Sequence, residues 1–592
     1  MSAPATLVFE KDVAIEMNDG NLLRANVFRP RASGDAHSRY PVILAHGVYG
    51  KDIHFADGYK PQWEGLIKVY PELTDNASGL ASELTGNPSR LAPERPAKNT
   101  STGRFLRWET CDPERFVPDG YVVVQVDSRG TGKSPGFLDP RAPREMQDYY
   151  ECIEWAGTQP WSNGKVGLLG ISYYAFTQWA VAAMRPPHLA AICPWEGFTD
   201  YYRDSTHQGG IFSNVFTSAW WPRQVLVNQY GNAATTHRDR DTGERTTGGA
   251  ALSEAQLAAN RADYPADLAR HTLVDEWYRE RTPILSRIDV PVLSAGNWGG
   301  PGLHLRGNIE GFLGVSSKHK WLSLHTGTHW ESFYLPQYVA LQKRFFDWAL
   351  KGHDNGWDRE PHVRMEVRRA EPGKIVSTTR FENEFPPART KYTTLHLDAS
   401  TKRLVRDMPK SESTATFDAM GDGVDFSHTF AHETEICGFL TLRLWASSTT
   451  TDLDVFTVLR VFDPAGQEIR IIGAHEPTTM AKGWLRASHR KLDEARTTPH
   501  RVFHAHDEVQ KLEPGKLTPL DIEIWPTSMV FPRGYTLVLT ILGRDFEFPG
   551  LPGRMLHNHP VDRNPEEFGG RTTIATGGAH ASWLRLPVIA TT

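Results

Sequence analysis

Short apolar runs alternate with stretches of helical character along the first part of the chain. Three of these runs, at residues 41–45, 121–126 and 165–169, are followed directly by glycine or polar residues. Near-continuous apolar runs of this length are typical of buried parallel strands, and the loops at their carboxyl ends often carry function. The pattern predicts an α/β layer on a largely parallel sheet, with its functional edge beyond these strands.

Further elements and two insertions complete this prediction. The remaining strands are expected at residues 189–193, 290–295 and 320–324. Helices are expected at residues 147–157 and 175–184, and a last helix ends at a C-cap glycine, Gly352. The gap between the fourth and fifth strands is longer than an ordinary loop. We therefore predict a helical cap over residues 198–285, and a second, polar and Pro-rich insertion over residues 54–115.

The pattern changes after residue 360, where helical periodicity almost disappears. Short strands separated by turns are predicted at 363–367, 392–397, 438–445, 454–462, 520–525, 536–541 and 582–588. Such spacing is typical of an antiparallel β-sandwich. The predicted division is therefore an α/β core (1–197 and 286–359), the cap between its parts, and a β-sandwich domain over 360–592.

Composition and charge argue against several kinds of binding partner and against secretion. The 592 residues contain 65 Lys and Arg against 70 Asp and Glu, a net charge of −5 without a basic block. Nucleic acid is therefore not expected as a partner, and no apolar run reaches the ~18 residues that span a bilayer. The first residues lack the features of a signal peptide, so a cytoplasmic location is expected. The four cysteines form no close pair, which argues against a thiolate metal site and a disulfide framework.

A serine stands between the third strand and the helix that follows it. The segment Gly170-Ile-Ser172-Tyr173-Tyr174 has the strand–serine–helix order of a nucleophile elbow, which exposes the serine hydroxyl above the sheet. Gly170 is the small residue that the tight turn requires, whereas Tyr174 replaces the second glycine of the general pattern. The alternative is a serine that caps the helix N-terminus and has no catalytic role.

Several segments together resemble a known family. They are Gly170-x-Ser172-Tyr173, Met17-Asn-Asp-Gly20, Gly483-Trp-Leu-Arg-Ala-Ser488 and Asp127-x-Arg129-Gly130-x-Gly132-x-Ser134-x-Gly136. These segments look like the cocaine esterase and X-Pro dipeptidyl-peptidase group of α/β-hydrolases, and the resemblance covers nearly the whole chain. It implies an α/β-hydrolase fold with a helical cap, a C-terminal jelly-roll-like domain, and hydrolysis of small-molecule esters or amides through an acyl-serine. No cofactor and no metal are expected.

The resemblance also implies the base and the oxyanion hole. When residues 325–329 are aligned with the segment at the end of the family's last strand, His329 takes the position of the base. His325 is expected to support the loop. A metal pair formed by these two histidines is the disfavoured alternative, because no third ligand or helix accompanies them. The N–H of Tyr173 and the hydroxyl of Tyr49 are the expected oxyanion donors. A backbone N–H from Val48 or Tyr49 is the rival, and Tyr49 could instead be a packing aromatic.

The acid of the triad is where the sequence departs from the family. Gly299 stands where the family has an aspartate after the penultimate strand. The loop one strand earlier offers Glu196, which keeps the chain order of nucleophile, acid and base. We therefore predict Glu196 as the acid, with Asp200 and Glu310 in reserve. The alternative is that Glu196 pairs with an arginine such as Arg203.

A substrate pocket lined by Trp195, Trp298 and Trp330 is predicted from their positions beside the expected site, although core packing could explain some of them. The sequence favours a serine hydrolase of esters or activated amides. Alternatives are an X-Pro dipeptidyl-peptidase, an α-amino ester hydrolase, an acyltransferase, and a degenerate binding protein that uses its β-sandwich. The substrate and the oligomeric state are not determined by the sequence.

Overall fold

The structure is a computed structural model that describes residues 7–31, 38–73, 101–473, 477–550, 556–557 and 562–590. Residues 74–100 of the predicted 54–115 insertion lie outside this part, as do the first six residues, on which the expectation about a signal peptide rests.

Residues up to 325 supply the strands of the first layer and one short hairpin. These strands are β1 (Leu7–Glu16), β2 (Leu22–Pro30), β3 (Tyr40–Gly47), β4 (Val122–Asp127), β5 (Ser162–Ile171), β6 (Leu189–Trp195), β7 (His207–Gln208), β8 (Ile211–Phe212), β9 (Val292–Asn297) and β10 (Lys320–His325). The sheet has the order β1-β2-β4-β3-β5-β6-β9-β10, and all pairs from β4 to β10 are parallel. The predicted α/β layer is therefore present, with its six central strands at the expected positions.

Helices cover both faces of this sheet. Those before residue 352 are α1 (Phe55–Gly58), α2 (Lys60–Val69), α3 (Pro113–Phe116), α4 (Pro143–Thr158), α5 (Tyr173–Ala182), α6 (Asn214–Trp220), α7 (Glu254–Ala259), α8 (Tyr264–Arg270), α9 (Glu276–Arg279), α10 (Leu305–Gly314), α11 (Glu331–Tyr334) and α12 (Pro336–Lys351). Along β3, Ile43 and Ala45 belong to one apolar cluster and Val42 and Leu44 to another, so the two faces bury separate cores. Gly352 ends α12 in the left-handed conformation, as predicted.

The segment predicted as a helical cap contains only short helices. Between β6 and β9 lie the β7–β8 hairpin, a π-helix at Tyr201–Thr206 and helices α6 to α9, none of them longer than seven residues. Residues 229–253 have no regular helix or strand. The segment nevertheless packs on the functional edge of the sheet, because α6 and α8 supply buried aromatic residues to the same apolar cluster as α5.

The second half of the chain is almost entirely β-structure. Its elements are β11 (Val363–Glu371), β12 (Lys374–Glu382), β13 (Thr390–Asp398), β14 (Arg403–Val405), β15 (Ser413–Asp418), β16 (Val424–Thr429), β17 (Thr434–Ser448), β18 (Asp454–Phe462), β19 (Ile471–Ile472), β20 (Pro477–Thr478), β21 (Ala481–Arg486), β22 (Thr518–Phe531), β23 (Thr536–Leu542), α13 (Pro565–Phe568), β24 (Arg571–Thr576) and β25 (Trp583–Ile589). Antiparallel pairings dominate, and their apolar faces enclose one core. The jelly-roll connectivity implied by the resemblance stays a prediction.

The two halves share a strand and an apolar cluster. Strand β11 pairs in parallel with β10 of the first layer and touches β22 of the second half. Trp298 and Leu324 of the first half pack in one cluster with Phe456 and Trp484 of the second. The β-rich half is thus continuous with the sheet whose edge carries the site.

Candidate active site

Ser172 occupies a strained turn between β5 and α5. Its backbone has φ 58° and ψ −110°, a conformation that a non-glycine residue rarely adopts. A Cβ atom at Gly170 would lie 2.4 Å from Cβ of Tyr174, so only glycine fits there. Tyr174 replaces the usual second glycine because its ring lies over Gly47, where a Cβ would be 2.7 Å from Tyr174 Cε1. Ser172 stands at the N-cap of α5, but its side chain makes no capping hydrogen bond.

His329 and Glu196, the predicted base and acid, meet at the edge of the sheet. Nδ1 of His329 lies 2.7 Å from Oε2 of Glu196, and Nε2 of His325 lies 2.9 Å from Oε1 of the same carboxylate. Asn297, the last residue of β9, also donates to Glu196 at 3.3 Å. His325 therefore contacts the acid directly, which is consistent with its expected supporting role.

Burial and charge set the protonation of this group. Burial by itself would raise the pKa of Glu196, but the charge of His329 and hydrogen bonds from both histidines outweigh it, so its pKa is lowered. Burial alone would lower the pKa of His329, yet the charge of Glu196 and the hydrogen bonds of Glu109 and Glu196 raise it to about 10. The contacts with Glu109 and Glu196 therefore favour the protonated form of His329.

The other carboxylates considered for the triad are engaged elsewhere. Asp200 forms an ion pair with Arg203 at 2.8 Å and caps the π-helix that follows. Glu310 pairs with Arg501 of the β-rich half. The alternative pairing of Glu196 with Arg203 is therefore wrong, since each has another partner.

Gly299 has no room for a side chain. A Cβ atom there would lie 2.8 Å from Cα of Gly473 and 2.9 Å from the carbonyl oxygen of Ile472. Backbone of the β-rich half therefore fills the space that an acid at this position would need.

Both expected oxyanion donors lie beside Ser172. Tyr173 opens α5, and the N–H groups of a first helical turn have no partner within the helix. The hydroxyl of Tyr49 accepts a hydrogen bond from Nε1 of Trp220 at 3.0 Å. Burial raises the pKa of Tyr49, whereas its hydrogen bonds with Trp220 and Ser172 act in the opposite direction. The raised pKa keeps the Tyr49 hydroxyl protonated, and its ring packs against that of Tyr173, the residue after the serine, with the centroids 5.9 Å apart.

Two residues at the site were missed by sequence reasoning. Oε1 of Glu109 lies 3.0 Å from Nε2 of His329, and Nε2 of His304 lies 3.3 Å from Oγ of Ser172. The imidazoles of His304 and His329 stack with their centroids 5.0 Å apart. Burial raises the pKa of Glu109 to about 7, although the hydrogen bond and charge of His329 lower it. His304 ends the Gly-rich loop after β9, and that position was the available signal.

The predicted tryptophan pocket needs correction at two positions. Trp195 and Trp298 are completely buried, one stacked on His325 and the other donating Nε1–H to the carbonyl of Glu366. Both indoles face neighbouring side chains and pack in the core. Core packing, the alternative to a substrate pocket, therefore explains these two tryptophans. Trp330 follows His329 and lies 6.0 Å from Trp108 between ring centroids, so it stays a candidate for the pocket.

Within the described ranges, no three His, Cys, Asp or Glu side chains are grouped so that they could hold a metal ion. No helix in that part of the chain is both long enough and apolar enough to cross a membrane.

Comparisons with known proteins agree with this geometry. A family model described as X-Pro dipeptidyl-peptidase (S15 family) matches residues 19–331. A second, described as the X-Pro dipeptidyl-peptidase C-terminal non-catalytic domain, matches residues 355–585. The first half therefore has the α/β-hydrolase fold, and the β-rich half matches a domain without catalytic residues.

Individual relatives point to the same chemistry. A CocE/NonD family hydrolase from Staphylococcus aureus superimposes with a TM-score of 0.79 at 32% identity, covering 98% of this chain and 94% of that one. A Mycobacterium bovis protein provisionally named a serine esterase is 25% identical over 80% of this chain and 84% of its own length. The cocaine esterase of a Rhodococcus species is 24% identical over 66% of this chain and 62% of its own.

Proposed function

Because the chain belongs to the S15 family of X-Pro dipeptidyl-peptidases and is a serine hydrolase, we propose that it cleaves small esters or activated amides through an acyl intermediate on Ser172. The observation that carries this assignment is the 2.7 Å contact between Glu196 and Nδ1 of His329, beside a serine on a strained elbow. A carboxylate in that position orients the imidazole and stabilises its charged form.

The proposed reaction has two half-reactions. In the first, His329 takes the proton of Ser172 while Oγ bonds to the substrate carbonyl carbon, and the resulting oxyanion accepts hydrogen bonds from Tyr173 N–H and Tyr49 O–H. The bond to the leaving group then breaks, and His329 returns the proton to that group. In the second, His329 takes a proton from water, which attacks the acyl carbon; the bond to Oγ breaks, the acid leaves, and His329 returns the proton to Ser172.

One contact must change for this reaction to start. Nε2 of His329 is the nitrogen that would take the serine proton, and in the structure it lies against Glu109. We infer that, when substrate binds, His329 passes its Nε2 proton to Glu109, whose pKa burial raises to about 7, and that the neutral imidazole then contacts Ser172.

The Ser172→Ala variant tests the assignment of the nucleophile. It should lose turnover of p-nitrophenyl acyl esters and covalent labelling by a fluorophosphonate. Ser218→Ala is a matched control, because Ser218 lies on α6 and its hydroxyl donates only to the carbonyl of Asn214. Full labelling of the Ser172→Ala variant would refute the assignment.

A second candidate is hydrolysis of α-amino acyl esters or peptides, and Glu109 is the observation that favours it. Its buried carboxylate faces His329, where it could pair with a substrate ammonium and so leave Nε2 for Ser172. Alanine and phenylalanine esters compared with their N-acetylated forms would test this. A preference for the free amine that Glu109→Gln removes would support the second candidate, and equal rates would support simple esters.

Two further alternatives have weaker support. Gly299 was the reason to consider a degenerate binding protein, and that reason is weakened because Glu196 stands beside His329. Turnover of any p-nitrophenyl ester would exclude it. An acyltransferase would show as partition of the acyl group to an added alcohol over water. The cytoplasm is the proposed compartment because all four cysteines are free buried thiols.

A further inference from the structure

Trp220 links the inserted segment to the proposed oxyanion hole. It is the last residue of α6, and its indole Nε1 lies 3.0 Å from the hydroxyl oxygen of Tyr49, 171 residues away in sequence. Both side chains are buried, at 2% and 4% exposure.

The direction of this hydrogen bond is fixed by chemistry. An indole N–H can only donate, so the oxygen of Tyr49 must be the acceptor. A phenol has a single proton, which must then point away from Trp220. The Tyr49 ring packs against that of Tyr173, the residue after Ser172, with the centroids 5.9 Å apart. The Tyr49 hydroxyl therefore lies between the inserted segment, whose Trp220 N–H occupies its acceptor side, and the elbow that carries Ser172.

The Trp220 ring is held rigidly by its surroundings. The guanidinium of Arg141 lies 4.6 Å from its centroid, Tyr173 stacks at 6.1 Å, and Tyr264 packs at 5.5 Å. Arg141 is buried and donates to the hydroxyls of Tyr201 and Tyr264. The buried carboxylate of Glu145 accepts a hydrogen bond from the backbone N–H of Arg141 and interacts with its charge. The guanidinium also lies against the surrounding aromatic rings, and a cation over an indole face strengthens the N–H as a donor.

We propose that Trp220 is a positioning residue for the oxyanion hole: its N–H occupies the acceptor side of Tyr49 and so directs the phenol proton at the developing oxyanion. This inference rests on the proposed function, in which Tyr49 is an oxyanion donor. It gives the inserted segment a part in the chemistry. Trp220 acts through Tyr49 and does not touch the reacting atoms.

A double-mutant cycle tests the proposal with p-nitrophenyl acetate as substrate. Trp220→Phe removes the N–H and keeps an aromatic ring, and it should lower kcat about tenfold with KM changed less than about twofold, since the lost interaction acts mainly in the transition state. Tyr49→Phe should lower kcat by about 10²-fold. In the Tyr49→Phe background, adding Trp220→Phe should change kcat by less than about twofold.

The controls separate this role from a structural one. Trp221→Phe is a matched control, because the Trp221 indole is also buried and packs on Tyr264; its kcat should stay within about twofold of the parent. If Trp220→Phe does not fold, 3-benzothienylalanine at position 220 replaces the N–H by sulfur in a ring of the same shape. An undiminished kcat for either Trp220 variant would overturn the proposal. So would a Trp220→Phe effect that persists in full without the Tyr49 hydroxyl.

Failure of the proposed function would look different. If the parent protein neither turned over the ester nor reacted with a fluorophosphonate at Ser172, the reaction itself would be refuted. If the parent were active and Tyr49→Phe had no effect, the proposal for Trp220 would be refuted while the serine hydrolase assignment stood.

Discussion

Glu109 contacts the nitrogen of His329 that the proposed reaction needs, with Oε1 of the carboxylate 3.0 Å from Nε2 of the imidazole. Glu109 has a left-handed backbone, φ 61°, and its carbonyl accepts a hydrogen bond from the N–H of Ile171, directly before the proposed nucleophile. This contact holds the carboxylate beside the elbow. The resting site therefore has two carboxylates on one imidazole, one at each nitrogen.

Replacing Glu109 by Gln should shift the pH dependence of activity. Removing a carboxylate that raises the pKa of His329 lowers that pKa from its value of about 10. Because the base must be neutral to take the serine proton, the acid limb of the kcat/KM profile should move to lower pH. The measurement is kcat/KM from pH 5 to 10 with an uncharged ester. Each pH unit by which the acid limb moves corresponds to ~1.4 kcal/mol.

Glu114→Gln is the control for this prediction. Glu114 is also buried, but it bonds to Ser101 and Thr102 and not to His329. Its profile should match that of the parent. An acid limb for Glu109→Gln that stays in place or moves to higher pH would contradict the prediction.

Replacing Glu196 by Gln should remove most of the activity. An amide can still bond to His329, but it cannot stabilise the imidazolium, so kcat should fall by about 10³-fold or more. Asp200→Asn should keep kcat within about threefold, because Asp200 pairs with Arg203 and does not contact His329. The measurement is kcat for both variants, with thermal unfolding as the check on folding. Equal losses in the two variants would place the acid elsewhere.

The local parts of the site could be predicted from the sequence. Ser172 and Tyr173 follow from a buried strand, a glycine and a helix that are contiguous in the chain. The position of Glu196 beside His329 follows because parallel strands end at the same edge of a sheet, so a carboxylate three residues after a buried run lies near that edge. Each of these inferences needs only a short segment and the geometry of the sheet.

The long-range parts could not be predicted. Glu109 reaches His329 because a loop 220 residues earlier in the chain folds back over the elbow. The hydrogen bond from Trp220 to Tyr49 likewise depends on how the inserted segment packs, and that segment has little helical periodicity to interpret. Edge strands such as β12 and β15 were missed because most of their residues are partly exposed, which leaves no continuous apolar run.

His304 should matter much less than His329 for turnover. Both imidazoles lie near Ser172, but Glu196 contacts Nδ1 of His329 at 2.7 Å and so stabilises the charge that the base acquires. His329→Asn should lower kcat by about 10³-fold or more, and His304→Asn by about tenfold or less. Steady-state kinetics of the two variants, with fluorophosphonate labelling rates, give the comparison. The reverse order would assign the base to His304.

The glycine at position 299 should be required by packing, and an acid there should not rescue the site. A Cβ atom would lie within 3.0 Å of backbone atoms of Gly473 and Ile472, so Gly299→Ala should destabilise the protein by about 1–3 kcal/mol. Gly300→Ala is the matched control, because the nearest atom to its Cβ would be 3.3 Å away, and it should cost less. Denaturant unfolding midpoints measure both.

The same geometry predicts the outcome of moving the acid. A Glu196→Ala variant loses the carboxylate at Nδ1 of His329, and adding Gly299→Asp should leave kcat at the level of the single variant. The new carboxylate would have to displace the backbone around Gly473 before it could approach the imidazole. Recovery of kcat in the double variant would show instead that the space beside Gly299 is open, and that the family position can still hold the acid in this protein.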